Sequence, residues 1–160
     1  MCIDRDNFYA LQRRCAEVGV VVKRNPRLRK FEAVPDGVEV GIYTPFMCNL
    51  VIPCQDIMAG GMTSKVEGFR VAVPEVLLLL KAQAARERWG SEKGLKDRVD
   101  IISLLAFVDV KFDLLEGLVR KYDRDMELIG TLVRVLRESR REYRFLGLSY
   151  ERDGSRILRT

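Results

Sequence analysis

At 160 residues, 48% of them hydrophobic, the chain is long enough to close one domain around a real core, burying roughly two-thirds of its unfolded surface. Its longest apolar run, Val76 to Leu80, ends at Lys81 and falls far short of the about 20 residues a bilayer span needs, and no signal-peptide pattern opens the chain, so the expectation is a cytoplasmic protein with no membrane partner. A net charge of +5 and a pI near 9.2 favour an anionic partner without identifying it, while the lack of any histidine and of CxxC spacing among Cys2, Cys15, Cys48 and Cys54 excludes an ordinary zinc site and histidine-based catalysis.

The cysteines read as isolated reduced thiols. Scarce Asn and Gln beside abundant Arg, Glu and Val resemble thermophile usage.

In chain order, Phe8, Leu11, Cys15 and Val18 recur at intervals of three and four, which predicts a helix over about residues 6–18 with Asp6 as its N-cap. After Gly19, "VVVK" reads as a strand. "LRKFEAV" and "VEVGIY" read as two more, joined by "PDG", whose proline and glycine suit a hairpin turn. "TPFMCNLVIPCQDIMAGG" is a loop with one short helical turn, and "SKVEGFRVAV" a further strand. Pro74 takes a first-turn position, with Glu75 behind it to offset the positive helix end, and opens "PEVLLLLKAQAARER".

Leu95, Val99, Ile102 and Ala106 define the buried face of the next helix, with Asp97 and Asp100 together on a different face. Leu114, Leu115, Leu118 and Tyr122 mark a third helix. Met126, Ile129, Val133 and Leu136 form the seam of a fourth, which runs through charged residues to about Phe145. "GLSYERDGSRILRT" follows as a flexible or partner-docking tail. The predicted class is α+β: a small mixed or antiparallel sheet with an N-terminal helix, then a C-terminal helical bundle. One domain spans 1–160, with an α/β part at 1–73, a helical part at 74–145 and a tail at 146–160.

Lys81 interrupts a helix whose other positions from 76 to 85 are apolar except Gln83. An ammonium buried without a partner costs several kcal/mol, so Lys81 must reach solvent, a carboxylate or an anionic ligand, and Asp97 or Asp100 is available. The plain structural reading is a snorkelling lysine or a helix-to-helix ion pair. Arg134, Arg137, Arg141 and Arg144 keep to one side of the last helix and could track a phosphate backbone. Glu138 and Glu142 are spaced to pair with them, which makes a self-paired solvated face the simpler reading.

Lys81, Ala84 and Arg88, followed by Lys96-Asp97 and Asp100-Ile101, form the pattern K-x-x-A-x-x-x-R…K-D-x-x-D-I. It resembles the C-terminal part of the nucleotidyltransferase superfamily, especially small prokaryotic members related to abortive-infection toxin nucleotidyltransferases, and the order of elements over roughly residues 6–107 agrees. The resemblance implies ancestral transfer of a nucleotide from a nucleoside triphosphate to protein or RNA. It assigns Lys81, Arg88 and Lys96 to phosphate binding, supported by Asp97 and Asp100. In that family a Gly-Ser turn, a D-x-D pair and a third acid on a later strand hold two metal ions, so Mg²⁺ is the implied cofactor if the chain is active.

The chain departs from that scheme. No Gly-Ser turn followed by D-x-D precedes the first helix, and Asp4-x-Asp6 abuts a helix start, where capping is the better reading. The later-strand position falls on Gly41, leaving Glu39, two residues and roughly 7 Å along the strand, as the candidate catalytic carboxylate. The expectation is a truncated nucleotidyltransferase-like protein, inactive or incomplete as this chain. The alternative is a noncatalytic binding module that dimerises or holds RNA or a nucleotide. The implied partners are a nucleoside triphosphate or RNA, and a second copy or a completing protein chain.

Overall fold

The first helix, α1 (Arg5–Glu17), begins where Asp4 turns its carboxylate back onto the chain, accepting from the Asn7 N–H at 2.9 Å and from Asn7 Nδ2 at 2.6 Å. The cap is therefore Asp4 rather than Asp6. Asp6 falls in the first turn, where its charge still complements the helix end. These coordinates are a computed structural model that describes residues 1–157. The chain divides into two compact units, Met1–Val71 and a second beginning at Ala72. Its class is α+β: an N-terminal helix and small antiparallel sheets, then helices.

In the first unit, β1 (Lys23–Asn25), β2 (Lys30–Ala33) and β3 (Val40–Ile42) form an antiparallel meander in which Lys23 faces Glu32, and Glu32 in turn faces Gly41. The β2–β3 link is the Pro35–Gly37 turn, with Asp36 and Gly37 both at positive φ. Phe8 of α1 lies buried over this sheet with Ala33 and Ile42, its ring 4.4 Å from that of Phe31. Val20 and Val22 pack against the same cluster while Val21 stays exposed. "VVVK" thus alternates as a strand should, yet ladder pairing starts only at Lys23.

A short helix, α2 (Cys54–Ala59), supplies the helical turn expected in the following loop. The single strand expected next is instead a two-stranded hairpin, β4 (Thr63–Val66) and β5 (Phe69–Ala72). Glu67 and Gly68 between them both have positive φ, the conformation of the tight turns that match strand twist.

Pro74 occupies the first turn of α3 (Pro74–Glu87), as its fixed φ and missing N–H predict. This helix is the axis of the second unit, packing against α4 (Glu92–Phe107), α5 (Phe112–Tyr122) and α6 (Glu127–Glu138). Val76, Leu78, Leu79, Ala82 and Ala85 are all fully buried. Glu75 is buried too, and its Oε1 accepts the Lys111 N–H at 2.6 Å, so it satisfies a donor at the start of α5 rather than only its own helix end.

Two helix faces are rotated from expectation. On α4 the buried positions are Gly94, Asp97, Ile101 and Ile102, with Leu95, Val99 and Ala106 only half-buried. On α6 they are Leu128, Thr131, Leu132, Val135 and Leu136, and Met126 is an exposed left-handed residue before the helix. Thr131 can be buried because its hydroxyl donates to the Glu127 carbonyl at 2.8 Å. Buried Asp123 caps α6 from a distance, accepting from the Leu128 and Ile129 N–H groups at 2.9 and 3.2 Å. The α5 seam holds at Leu115 and Leu118 but leaves Leu114 exposed.

The last predicted helix breaks at Ser139, and α7 (Arg140–Phe145) follows as a separate element. The four-arginine stripe is thereby divided between two helices. The segment expected to be a loose tail folds back as far as it is described: Tyr150 donates its hydroxyl to the Arg137 carbonyl at 2.9 Å, the Asp153 carboxylate accepts the Ser149 N–H at 2.8 Å, and Ile157 is buried in α8 (Ser155–Ile157). The end of that expected tail, 158–160, lies outside the described residues. Among the described residues no helix is long and apolar enough to cross a membrane.

Candidate functional site

Lys81 reaches both of the carboxylates that the sequence offered it. Its Nζ lies 2.6 Å from Asp100 Oδ2 and 3.2 Å from Asp97 Oδ1. Burial alone would lower its affinity for a proton, but the hydrogen bonds and charges of Asp100 and Asp97 outweigh that and hold the ammonium above the ordinary lysine value. The Arg88 guanidinium takes the other oxygen of Asp97, Nε to Oδ2 at 2.6 Å. Two cations thus converge on two carboxylates.

Asp97 belongs to the buried face of α4, its side chain only 2% exposed, whereas the Lys81 and Arg88 side chains are 34% and 43% exposed. The buried member is therefore the anion, and the cations approach it from the wetter side. This arrangement satisfies a desolvated carboxylate, and it leaves Lys81 and Arg88 committed to protein oxygens rather than open to phosphate.

The α3–α4 turn that brings these side chains together depends on two residues sequence reasoning did not single out. Ser91 caps α4 by accepting the Gly94 N–H at 3.0 Å, and its hydroxyl donates to the Arg88 carbonyl at 2.8 Å. Gly94 passes so close to that carbonyl that a Cβ there would lie 2.0 Å from the Arg88 oxygen. The capping pattern Ser-Glu-Lys-Gly was a usable signal; the close approach had none.

A second buried pair lies beside the first. Arg98 Nε contacts Glu142 Oε1 at 2.7 Å, with both side chains nearly buried, and its guanidinium also donates to the Trp89 carbonyl. The Arg98 and Arg134 guanidinium carbons stand 4.9 and 3.9 Å from the Trp89 ring centre. Glu138 does pair with Arg134, at 2.9 Å, as the spacing suggested, but Glu142 turns inward to Arg98.

Lys96 is placed differently from Lys81 and Arg88. It is exposed on α4 and lines a groove of about 260 Å³ with Leu95, Val99, Asp100 and Phe145. Phe145 is 61% exposed. Arg141 and Arg144 are exposed on the same short helix as Phe145, and α7 packs on α4. Asp100 on the groove wall already has the Lys81 ammonium at 2.6 Å, which offsets its charge beside Lys96.

Glu39, the candidate catalytic carboxylate, is in the first unit, just ahead of β3. Lys30 Nζ lies 3.4 Å from its Oε1 and 2.9 Å from Glu32 Oε1. The Lys30 side chain extends over Gly41, whose Cβ, if present, would be 3.5 Å from both Lys30 Cδ and Nζ. Burial would lower the Lys30 ammonium's hold on its proton, but the hydrogen bond and charge of Glu32, with smaller help from Tyr43 and Glu39, hold it above its ordinary value. An internal ammonium thus occupies the space among Glu32, Glu39 and Gly41. These residues do not fit a divalent ion, and among the described residues no three Asp, Glu, Cys or His side chains are grouped to hold one.

Compared with protein-family models, curated proteins and solved structures, the chain matches none of them.

Proposed function

We propose that this chain is a noncatalytic binding module of nucleotidyltransferase-like build, and that its helical unit holds a ligand made of bases and phosphates, single-stranded RNA foremost. The observation that carries the reading is the exposed Phe145 ring at a groove with Lys96, on a helix that also exposes Arg141 and Arg144. An aromatic face stacks any base, and flanking cations track the backbone without reading sequence. Lys81 and Arg88 support this site indirectly, by neutralising Asp97 and Asp100.

Nucleotide transfer remains the ancestral chemistry in this reading, and among the described residues no carboxylate group is fitted to the metal such transfer needs. A completing protein chain that brought those carboxylates would restore incorporation only when added.

Binding of a short fluorescent single-stranded RNA and of a nucleoside triphosphate, each at low and high salt, tests the proposal. Phe145→Ala is expected to weaken RNA binding about fivefold or more, since stacking contributes ~1–3 kcal/mol per base. Lys96→Ala and Arg141→Ala/Arg144→Ala are expected to weaken it and flatten its salt dependence. Binding that survives all three, or is lost only with Lys81→Ala/Arg88→Ala in a folded variant, overturns the groove assignment. Triphosphate binding without RNA binding replaces the ligand.

A further inference from the structure

In the first unit two cysteines meet at Tyr43, one through its backbone and one through its thiol. The Tyr43 N–H donates to the Met1 carbonyl at 2.8 Å and the Ile3 N–H to the Tyr43 carbonyl at 3.0 Å, a parallel bridge that sets Cys2 beside Tyr43. The Cys54 thiol, buried in α2, lies 3.3 Å from the same Tyr43 oxygen and within hydrogen-bonding reach of the Cys2 sulfur. All four cysteines are free thiols, but these two are not the isolated ones that their sequence spacing suggested.

We propose that Cys2 and Cys54 form a peroxide-sensitive dithiol, Cys2 being the thiol that reacts with the peroxide and Cys54 the one that resolves it into a disulfide. The assignment of roles follows from access and from what each sulfur faces. Cys2 is half-buried and reachable, whereas Cys54 is closed off from solvent. When the Cys54 S–H turns from the Tyr43 carbonyl to Cys2, its hydrogen bond stabilises a Cys2 thiolate and, against burial, brings the Cys2 thiol down to about 7, helped by the chain's amino group. The same contact and burial push the Cys54 thiol upward, which keeps its proton in place. A sulfur of that acidity carries several-fold more thiolate near neutral pH than an ordinary free cysteine.

The chemistry balances with a hydroperoxide as the oxidant. The Cys2 thiolate attacks one peroxide oxygen, the O–O bond breaks, hydroxide (or alkoxide) leaves, and Cys2 becomes a sulfenic acid. The Cys54 sulfur then attacks the Cys2 sulfur, the S–O bond breaks, and the Cys54 proton leaves with the oxygen as water. Two thiols are oxidised to one disulfide and one peroxide is reduced. Both residues are anchored at Tyr43, so the joining step asks the two side chains to rotate toward each other rather than the backbone to travel. The product ties the segment ahead of α1 to the start of α2.

The test treats the full chain with a small molar excess of hydrogen peroxide, blocks remaining thiols by alkylation, and maps peptides by mass. The expected result is loss of two hydrogen masses and one joined peptide containing Cys2 and Cys54, with Cys2 consumed several-fold faster than Cys15. Cys54→Ser should leave Cys2 as a sulfenic acid that a 1,3-dione traps, and Cys48→Ser, which removes the other thiol near Cys54, should change nothing. A joined peptide containing Cys15 or Cys48, or consumption of Cys2 no faster than Cys15, overturns the proposal. If Cys54→Ser does not fold, Cys2→Ser at the more accessible partner decides: Cys54 must then resist oxidation, and its ready oxidation refutes the assigned order.

Discussion

Each unit contains a cluster in which cations meet two carboxylates, and the clusters differ chiefly in whether the anion can reach water. Lys30 is set between Glu32 and Glu39, whose side chains are 26% and 50% exposed. Lys81 and Arg88 surround Asp97, which is 2% exposed, with Asp100 at the rim. A carboxylate with access to solvent has a replacement for its cation, while one without access does not. The same residue types therefore make a weakly stabilising surface contact in one unit and a strongly stabilising one in the other.

The sharpest way to break this comparison is to strip the buried anion of both partners. Lys81→Met/Arg88→Met is expected to cost about 3–5 kcal/mol, read as the urea midpoint of the helical unit. Adding Asp97→Asn to that pair should recover much of the loss, because the uncompensated charge goes with it. No recovery would mean that packing of the long side chains, and not charge, is what the cluster supplies.

The scaffold under each cluster offers the next test. Gly94→Ala sets a methyl group against the Arg88 carbonyl oxygen, 2.0 Å from backbone that Ser91 holds in place, and a loss of about 1–3 kcal/mol is expected. Gly41→Ala meets only ordinary contacts at 3.5 Å, with the movable Lys30 side chain, and should fall within about 0.5 kcal/mol of the parent. Equal effects would show that Lys30 is as immobile as the turn.

Alkaline titration sharpens the comparison further. Lys81 is held above its unfolded value by Asp100 and Asp97. A group raised in this way contributes stability that is fully present below the unfolded lysine value, about 10.4, and is lost as pH rises through the folded one. The stability difference between parent and Lys81→Met should thus be constant at neutral pH and shrink above about pH 10.4. Tyr143, pushed up to about 12 by burial and by Tyr150 and Asp153, adds a parallel loss between about 10 and 12, which the Lys81 variant retains. The smallest effect belongs to the exposed cluster: Glu39→Ala should cost no more than about 1 kcal/mol by thermal melting, and less in high salt.

The ion pair of Lys81 was legible because an ammonium amid apolar helix positions has few physical outlets, and two aspartates on the next helix were within reach. The same logic misled on α4, where charged residues were assigned outward and the true face, running through Asp97, was displaced. Thr131 hid the α6 seam in a similar way, since a hydroxyl bonded within its own helix can be buried at little cost. Ser139 and the Glu67-Gly68 turn interrupted runs that periodicity alone read as continuous. The Arg98–Glu142 pair joins residues 44 positions apart, and the Cys2–Cys54 contact joins residues still farther apart, and neither leaves a local pattern to read.

Trp89 is the chain's one tryptophan, and it is clasped by the guanidinium groups of Arg98 and Arg134. The excited state of an indole shifts charge between its rings, so its emission colour responds to cations held this near. The protein carries a native tryptophan probe at the α3–α4 turn, and the sheet unit has no tryptophan. Tryptophan emission will follow the helical unit alone while far-ultraviolet dichroism follows both. A pair of such traces, recorded on one unlabelled sample, distinguishes units that melt together from units that melt in turn.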